Sequence, residues 1–504
     1  MGQKKPIFYN ALLLTGVNLL LRFVSTSFQV FISARMGAAG VGLLQLVLSV
    51  ASMSMTAGMA GIRTATMYLT AEELGKGRAK NVTWVLSGCF RYSLLFSGSI
   101  GLLVYCAAPK IASAWIGDIR TVGAIRLFAA FLPVSCFVGV MVGYFTAAGR
   151  IRILAAVEVA EQICSMAVTA VALLYWAGDE MGKACQAVVA GGCAGSLLTL
   201  LCLVIMRLRE NSPSGQRIHI TRRLAETALP LAVADDLKMG INTVENLMVP
   251  KRLALYTPDA MVHFGTVCGM VFPVMMFPAA ILYGLADLLI PEMARCNAAG
   301  SKLRIRYLAR RSLRVALLYG IGCGGVLYGL SHVLCYWLYG SLTAGESLRL
   351  YALLVPMLYC DAIIDAMNKG LGQQKICVRF NIFTAVLDVL GLFILLPMYG
   401  MWGYFISFFI SHAINAGLSL WLLLKTTGLR VSVRIFAQLV GTLVAAIVIC
   451  SVVQNPWLRT AVYLLVAFGS LWLQGVIYKE DLSWLGSMIS MQKSSEKVKI
   501  VFDK

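Results

Sequence analysis

The stretch ALPLAVADDLKMGINTVENLMVP, residues 228 to 250, is apolar enough at both ends to cross a bilayer, yet its middle carries Asp235, Asp236, Lys238 and Glu245. An ionised side chain at the bilayer centre costs roughly 2.5 to 3.5 kcal/mol, so such groups point at protein or water and mark functional positions. Arg22, Arg63 and Asp287 lie in other apolar stretches and pose the same problem. Guanidinium groups pair bidentately with phosphate oxygens and keep their charge at any working pH, whereas an ammonium acts as a point charge. Arg22, Arg63 and Lys238 are therefore candidates for holding a phosphate or pyrophosphate headgroup in a central cavity. Asp235, Asp236, Glu245 and Asp287 are candidates for a coupling ion, H⁺ or Na⁺, or for a gate. Structural pairings compete with these roles. Asp235 or Asp236 neutralises Lys238 on a shared helix face, and Arg63 pairs with Asp287 or Glu72 at an inner gate.

The elements that must position these residues are membrane helices. The 504 residues are 59% hydrophobic and only 13% charged, with a mean hydropathy of +0.80, whereas soluble domains carry charge on about a quarter of their residues. About fourteen apolar stretches of the ~20 residues that cross hydrocarbon run from Ile7 almost to Lys479. Among them are 7–32, 40–69, 82–107, 122–147, 224–249, 264–290, 435–454 and 457–478. The first follows Lys4 and Lys5 and reads as a retained helix rather than a signal peptide. Most Lys and Arg residues fall in alternate loops, for example Lys76 to Lys80, Arg150 and Arg152, Arg207 to Arg223 and Arg295 to Arg311. Cationic loops resist translocation, which places both termini in the cytoplasm. The same loops face anionic headgroups and account for the net charge of +20 without nucleic acid.

Other chemistry finds little support. The 14 cysteines are scattered singly, and the 4 histidines lie far apart, so neither set makes a metal or redox site. No nucleotide-binding loop, nucleophile elbow or zinc-protease helix is present. No catalytic residue, metal or cofactor is expected. Glu158, Glu161, Asp361, Asp365 and Asp388 read as hydrogen-bonding residues inside the bundle, and Arg91 as a snorkelling or loop-pairing residue.

A weak internal duplication organises the chain. Setting Gly61 over Gly284 aligns Gly77 with Gly300 and GRIRI (149–153) with GQQKI (372–376). A slightly different register puts Arg22 over Lys238, Gln29 over Glu245 and Arg35 over Lys251. The pattern predicts an all-α polytopic membrane protein: a six-helix lobe at 1–206, a cytoplasmic linker at 207–223, a second six-helix lobe at 224–424, a helix pair at 425–479 and a cytoplasmic tail at 480–504. The lobes are related by a pseudo-two-fold axis along the membrane normal, so helices one and seven face each other across the gap between them. Gly16, Gly58, Gly61, Pro230, Pro273 and Pro278 are candidate bend points or close-packing sites.

The segments ETALPLAVADDLKMGINTVENLMVPKRL, HFGTVCGMVFPVMMFPAAILYGLADLLIPEMA and DAIIDAMNKGLGQQKICVRFNIFTAVLDVLGLFILLPMYGMWGYFIS, with AGIRTA...AEELGKGRAKN after helix two, resemble the stage V sporulation protein B branch of the polysaccharide-transporter superfamily. That superfamily also holds the lipid II flippases, the O-antigen flippases and the multidrug and toxic-compound exporters. The resemblance implies an alternating-access flippase for a lipid-linked, pyrophosphate-polyprenyl oligosaccharide, a peptidoglycan precursor such as lipid II, in spore cortex synthesis. Implied partners are that glycan, membrane lipids, an ion gradient or membrane potential, and cell-wall synthesis proteins. In lipid II flippases, arginines on helices one, two and eight line the cavity. Arg22 and Arg63 fall on the matching helices here, while helix eight has no arginine before Arg295 and Lys238 on helix seven is the nearest substitute. The alternative reading is a cation-coupled exporter of drugs or small solutes, in which the carboxylates rather than the arginines carry function. A third, a membrane glycosyltransferase or polymerase, calls for a large outer loop with acid and base residues, and the outer loops here are short.

Overall fold

The computed structural model describes residues 4–76, 78–178, 180–209, 221–429 and 452–473, with single positions 441 and 448. The described residues are helical, with no strand among them. In chain order the helices are α1 (Lys4–Met59), α2 (Ile62–Gly75), α3 (Val82–Lys110), α4 (Val122–Ala147), α5 (Ile151–Tyr175), α6 (Met181–Leu208) and α7 (Thr221–Leu253). They continue with α8 (Ala260–Met276), α9 (Ala279–Ala298), α10 (Lys302–Tyr339), α11 (Leu342–Gly370), α12 (Gln374–Tyr399), α13 (Met401–Thr427) and α14 (Pro456–Leu473). Ten described helices are long and apolar enough to cross a membrane, or eleven when α8 and α9 count as one broken span. Helix α7 is not among them, because Asp235, Asp236, Lys238 and Glu245 interrupt it. The predicted span at 435–454 and the tail at 480–504 lie outside the described residues.

The breaks have local causes. Helix α1 runs through the expected first loop and bends sharply at Gly37, where φ is 67° and ψ is 173°. The predicted span at 40–69 is not continuous: it stops at Ala60 (φ 42°) and Gly61 (φ 71°), then resumes as α2 and runs on to Gly75. The predicted span at 264–290 extends to Ala260–Ala298. It contains a π-turn at Thr266–Val271 and breaks at Phe277–Pro278, where proline removes a backbone donor. Of the expected bend points, Gly61 and Pro278 therefore act, while Gly58 stays helical against Leu132.

Helix packing groups the chain into two compact units, Met1–Phe277 with Ile382–Ser411, and Pro278–Asn381 with His412–Lys504. These boundaries differ from those suggested by the duplication, chiefly because α7 packs with the first six helices. Leu224 and Ala228 of α7 are fully buried in one apolar cluster with Ile62, Val85, Phe145 and Leu203. Thr243 Oγ1 of α7 donates to the Ser49 carbonyl of α1 at 3.2 Å. A Cβ on Gly61 would lie 2.4 Å from the Ala228 carbonyl oxygen. Helix α7 therefore lies directly against α1 and α2 instead of facing helix one across a gap. Helix α8 approaches equally closely: a Cβ on Gly42 would lie 2.7 Å from the Met261 carbonyl, and the Phe23 and Phe277 rings are 5.5 Å apart. Small residues permit this backbone contact where lipid supplies no hydrophobic drive between helices.

The second unit has its own core. Ile321 of α10 and Tyr463, Ala467 and Leu471 of α14 form an apolar cluster. Helix α11 is joined to α13 by Asn415 Nδ2 donating to Asp361 Oδ2 and by Asn368 Nδ2 donating to the Ser419 carbonyl, both at 2.9 Å.

Gly61→Ala is expected to destabilise the protein by at least about 1–2 kcal/mol, the strain of a left-handed residue bearing a Cβ, with the clash against Ala228 added. Gly98→Ala, where a Cβ meets no atom within 4 Å, should be neutral or stabilising in the same thermal unfolding assay. Ahead of α4, Asp118 accepts from the Arg120 amide at 2.9 Å and from its guanidinium at 2.5 Å, which holds the Asp118 carboxyl below the usual carboxylate range. A depressed folded-state pKa stabilises above the unfolded value and is lost as pH falls. The stability gap between wild type and Asp118→Asn should therefore close as a pH series moves from neutral to strongly acidic.

Candidate functional site

Six of the seven residues singled out by their charge, Arg22, Arg63, Asp235, Asp236, Lys238 and Glu245, belong to the first unit, and Asp287 belongs to the second. Arg22 lies in α1, and its side chain lies outside the described residues. Arg63 is exposed in the first turn of α2, and Glu158 of α5 is near enough to feel its charge. Asp235 and Lys238 are exposed on α7, Asp236 and Glu245 are half-buried, and Asp287 is exposed on α9.

The local pairing that would have neutralised Lys238 does not form. Among the described residues, neither Asp235 nor Asp236 makes an ion pair with Lys238, although the three lie within one turn of α7. Lys238 lies 17 residues into α7, about 26 Å along it, and so stands near the middle of the helix without an ion-pair partner among the described residues. Asp236 Oδ1 is buried and has no hydrogen-bond partner among the described residues. Glu72 is likewise not the partner of Arg63. It binds Lys76 of its own helix and Arg223 Nη2 at 2.5 Å.

That last contact belongs to a network which sequence spacing did not reveal. Arg223, in the first turn of α7, also lies 3.8 Å from Glu73, whose side chain is 5% exposed and accepts from Asn81 Nδ2 at 3.1 Å. The start of α7 is thereby tied to the end of α2. At the other end of α7, Lys251 donates to the Ala114 carbonyl in the π-turn that follows α3. Next to it, Arg252 stacks 3.4 Å from the Phe393 ring centroid and donates to the Phe393 carbonyl at 3.2 Å. Helix α7 is held at both ends by cations.

A second feature invisible in sequence surrounds Glu245. Asp388 of α12 is 5% exposed and accepts from Ser407 Oγ of α13 at 2.6 Å. Glu245 lies close enough to Asp388 and to Cys268 of α8 for their charges to interact, and Cys268 Sγ is 3.9 Å from the Tyr404 hydroxyl. Four helices thus converge on two carboxylates with hydroxyl donors around them. Other carboxylates expected to be internal hydrogen-bonding groups do accept such bonds: Glu161 from Thr199 Oγ1 at 2.8 Å, and Asp361 from Asn415. Arg91 donates to the Ser87 carbonyl of its own helix at 3.3 Å. Among the described residues no group of three or more metal-ligating side chains forms a metal site.

This arrangement of broken, charge-bearing membrane helices defines the class as a polytopic transporter with the fold of the MATE and MOP superfamily. An inward-facing multidrug resistance MATE family transporter of that superfamily superposes with a TM-score of 0.67 at 14% identity, covering 83% of this chain and 98% of the other. A MOP superfamily transporter from Pyrococcus furiosus, described as having a binding pocket of reversed polarity, gives 0.58 at 15% identity over 84% and 96%. A Vibrio cholerae MATE transporter in its bent form also gives 0.58 at 15% identity, over 83% and 96%.

Sequence carries the assignment further. The chain belongs to the lipid II flippase MurJ family, whose profile matches residues 66–471. It is also 21% identical over 423 residues to stage V sporulation protein B of Bacillus subtilis (strain 168), covering 79% of this chain and 80% of that protein.

The ion pairs at the start of α7 are partly exposed, so a double-mutant cycle of Arg223→Ala with Glu72→Ala should give a coupling of at most about 1 kcal/mol. Glu73→Ala should cost more than Glu72→Ala in the same unfolding assay, because it leaves the Asn81 amide without its buried acceptor.

Proposed function

We propose that this protein is an alternating-access flippase that carries a lipid-linked, pyrophosphate-polyprenyl oligosaccharide across the cytoplasmic membrane, with both termini in the cytoplasm. The observation that carries the reading is Lys238: a cation near the middle of α7, packed among membrane helices and without an ion-pair partner among the described residues, calls for an anion from elsewhere. A pyrophosphate supplies one. Arg63, exposed and near Glu158, and Arg22 add guanidinium forks suited to phosphate oxygens. Membership of the lipid II flippase MurJ family and similarity to a sporulation protein support lipid II or a close peptidoglycan precursor as cargo and spore cortex synthesis as context.

In this mechanism the headgroup enters from the cytoplasmic side toward Arg22, Arg63 and Lys238 while the polyprenyl tail stays in lipid. The two duplicated lobes then rock about the substrate, and the ties at either end of α7 open in turn. Coupling belongs to the Glu245 and Asp388 pair, with Asp235, Asp236 and Asp287 as further gating carboxylates. Burying two facing carboxylates in ionised form without a cation costs several kcal/mol, so loading with H⁺ or Na⁺ favours the closed arrangement and release favours the open one. The exporter reading is supported by fold likeness alone, at 14–15% identity.

Translocation of fluorescent lipid II in proteoliposomes, with and without imposed Na⁺ or pH gradients, tests the reading. Wild type should flip lipid II. Lys238→Ala and Arg63→Ala should lose about tenfold or more, the worth of one charged hydrogen bond to phosphate. Glu245→Gln should lose its response to the gradient while still binding lipid II. Charge variants that flip like wild type, or well-folded wild type that fails under every gradient, would sink the proposal.

A further inference from the structure

We propose that Tyr92 of α3 is a positioning residue: its hydroxyl holds the break between α1 and α2 and so fixes where Arg63 stands. The role of Arg63 rests on the flippase reading above, whereas the hold on the break does not. The Tyr92 hydroxyl donates to the Ala60 carbonyl at 3.2 Å. Ala60 follows the last residue of α1, is 3% exposed, and is the one non-glycine residue with a positive φ (42°) among the described residues. Such a conformation persists only where its surroundings enforce it. The last carbonyls of a helix have no partner within it, and a buried carbonyl left bare costs about as much as a lost hydrogen bond. Tyr92 answers both demands with one proton.

Arg63 lies three residues beyond Ala60, and the chain between them is closely packed. Gly61 is left-handed and set against the Ala228 carbonyl, Ile62 is fully buried, and a Cβ on Gly143 of α4 would lie 2.5 Å from the Arg63 carbonyl oxygen. The tyrosine is held as well, its ring centroid 4.5 Å from that of Phe96 one turn further along α3. Close-packed interiors transmit strain, so a shift at Ala60 passes to the first turn of α2 instead of being absorbed in a loop.

The same device recurs in the second unit. Tyr319 of α10 donates to the Pro278 carbonyl at 2.9 Å, just ahead of α9, where the Ile281 amide also donates. The Tyr319 ring stacks on that of buried Tyr359 of α11 at 6.0 Å, and Tyr359 is itself hydrogen-bonded to the Ala279 backbone. In the register that sets Gly61 over Gly284, Tyr319 falls four residues after the place of Tyr92, and Pro278 falls five residues before the place of Ala60. Helices α3 and α10 each turn back on the helix before them through a short connection, so they run antiparallel to it. Both displacements therefore point the same way, by roughly 6 and 7.5 Å of helix rise. The tyrosine has moved with the break, as a residue serving the break must.

Tyr92→Phe keeps the ring and removes only the donor. In hydrogen–deuterium exchange of the purified full-length protein, it should speed exchange in the first turns of α2, at residues 62–69, by about threefold to tenfold, the worth of one hydrogen bond. The Ala65 amide, which donates to the Gly61 carbonyl at 3.1 Å, lies in that stretch. Tyr175→Phe, at a tyrosine that is 86% exposed, should change nothing there. Binding of lipid II to the same protein then separates positioning from a merely structural role. Tyr92→Phe should weaken binding by about threefold or more when Arg63 is present and have no further effect in an Arg63→Ala background. Unchanged exchange at 62–69, or an equal loss of binding in both backgrounds, would overturn the proposal. Should wild type not bind lipid II, the flippase reading fails and the exchange result decides the hold of Tyr92 by itself. If Tyr92→Phe does not fold, Tyr319→Phe puts the same question to the start of α9, where faster exchange at residues 281–289 is expected and unchanged exchange counts against the device.

Discussion

The cost of ionised groups in hydrocarbon governs this molecule. One charge at mid-bilayer costs a few kcal/mol unless protein, water or a counter-charge receives it, and α7 carries four such residues between Asp235 and Glu245. The structure settles them in different ways. Glu245 is half-buried, near enough to the hydrogen-bonded Asp388 for their charges to interact, Asp236 lies at the edge of an apolar groove, and Asp235 and Lys238 remain exposed. A helix with this charge cannot rest in lipid as a simple span. It is held against α1 and α2 by buried Leu224 and Ala228 and at its ends by Arg223, Lys251 and Arg252.

Close backbone packing and end-tethering serve a transporter together. The glycine contacts at Gly42 and Gly61 bring helices near without bulky interdigitation. The cationic ties are worth little individually where they are exposed. Helices broken at Ala60–Gly61 and Phe277–Pro278 leave backbone groups outside the regular ladder. In membranes such groups are tolerated where protein or a water-filled cavity receives them.

The wider family gives these features a setting. The chain belongs to a lipid II flippase family and shares its fold with a multidrug resistance MATE family transporter. Fold alone does not choose between such cargoes. The choice rests on the cations of α2 and α7, whose partners within the described protein are few.

Much of this was readable from the residues themselves. Helix boundaries at 82 and 122 follow from hydropathy interrupted by Gly, Asn and Arg loops, since a helix in lipid must satisfy its own backbone and advertises itself by an apolar run. The isolation of Lys238, Arg63 and Asp287 in such runs marked them from the sequence alone. The partners of those charges were not legible, because helices pack in lipid through small residues and polar contacts between distant segments. No spacing rule connects Glu72 to Arg223, Glu245 to Asp388 or Asp388 to Ser407. The sequence by itself determined a polytopic helical membrane protein whose seventh helix is interrupted by charge. Only the tertiary structure decided that α7 packs on α1 and α2 and that Asp236 Oδ1 is buried without a hydrogen-bond partner among the described residues, because burial and pairing depend on which distant helices meet.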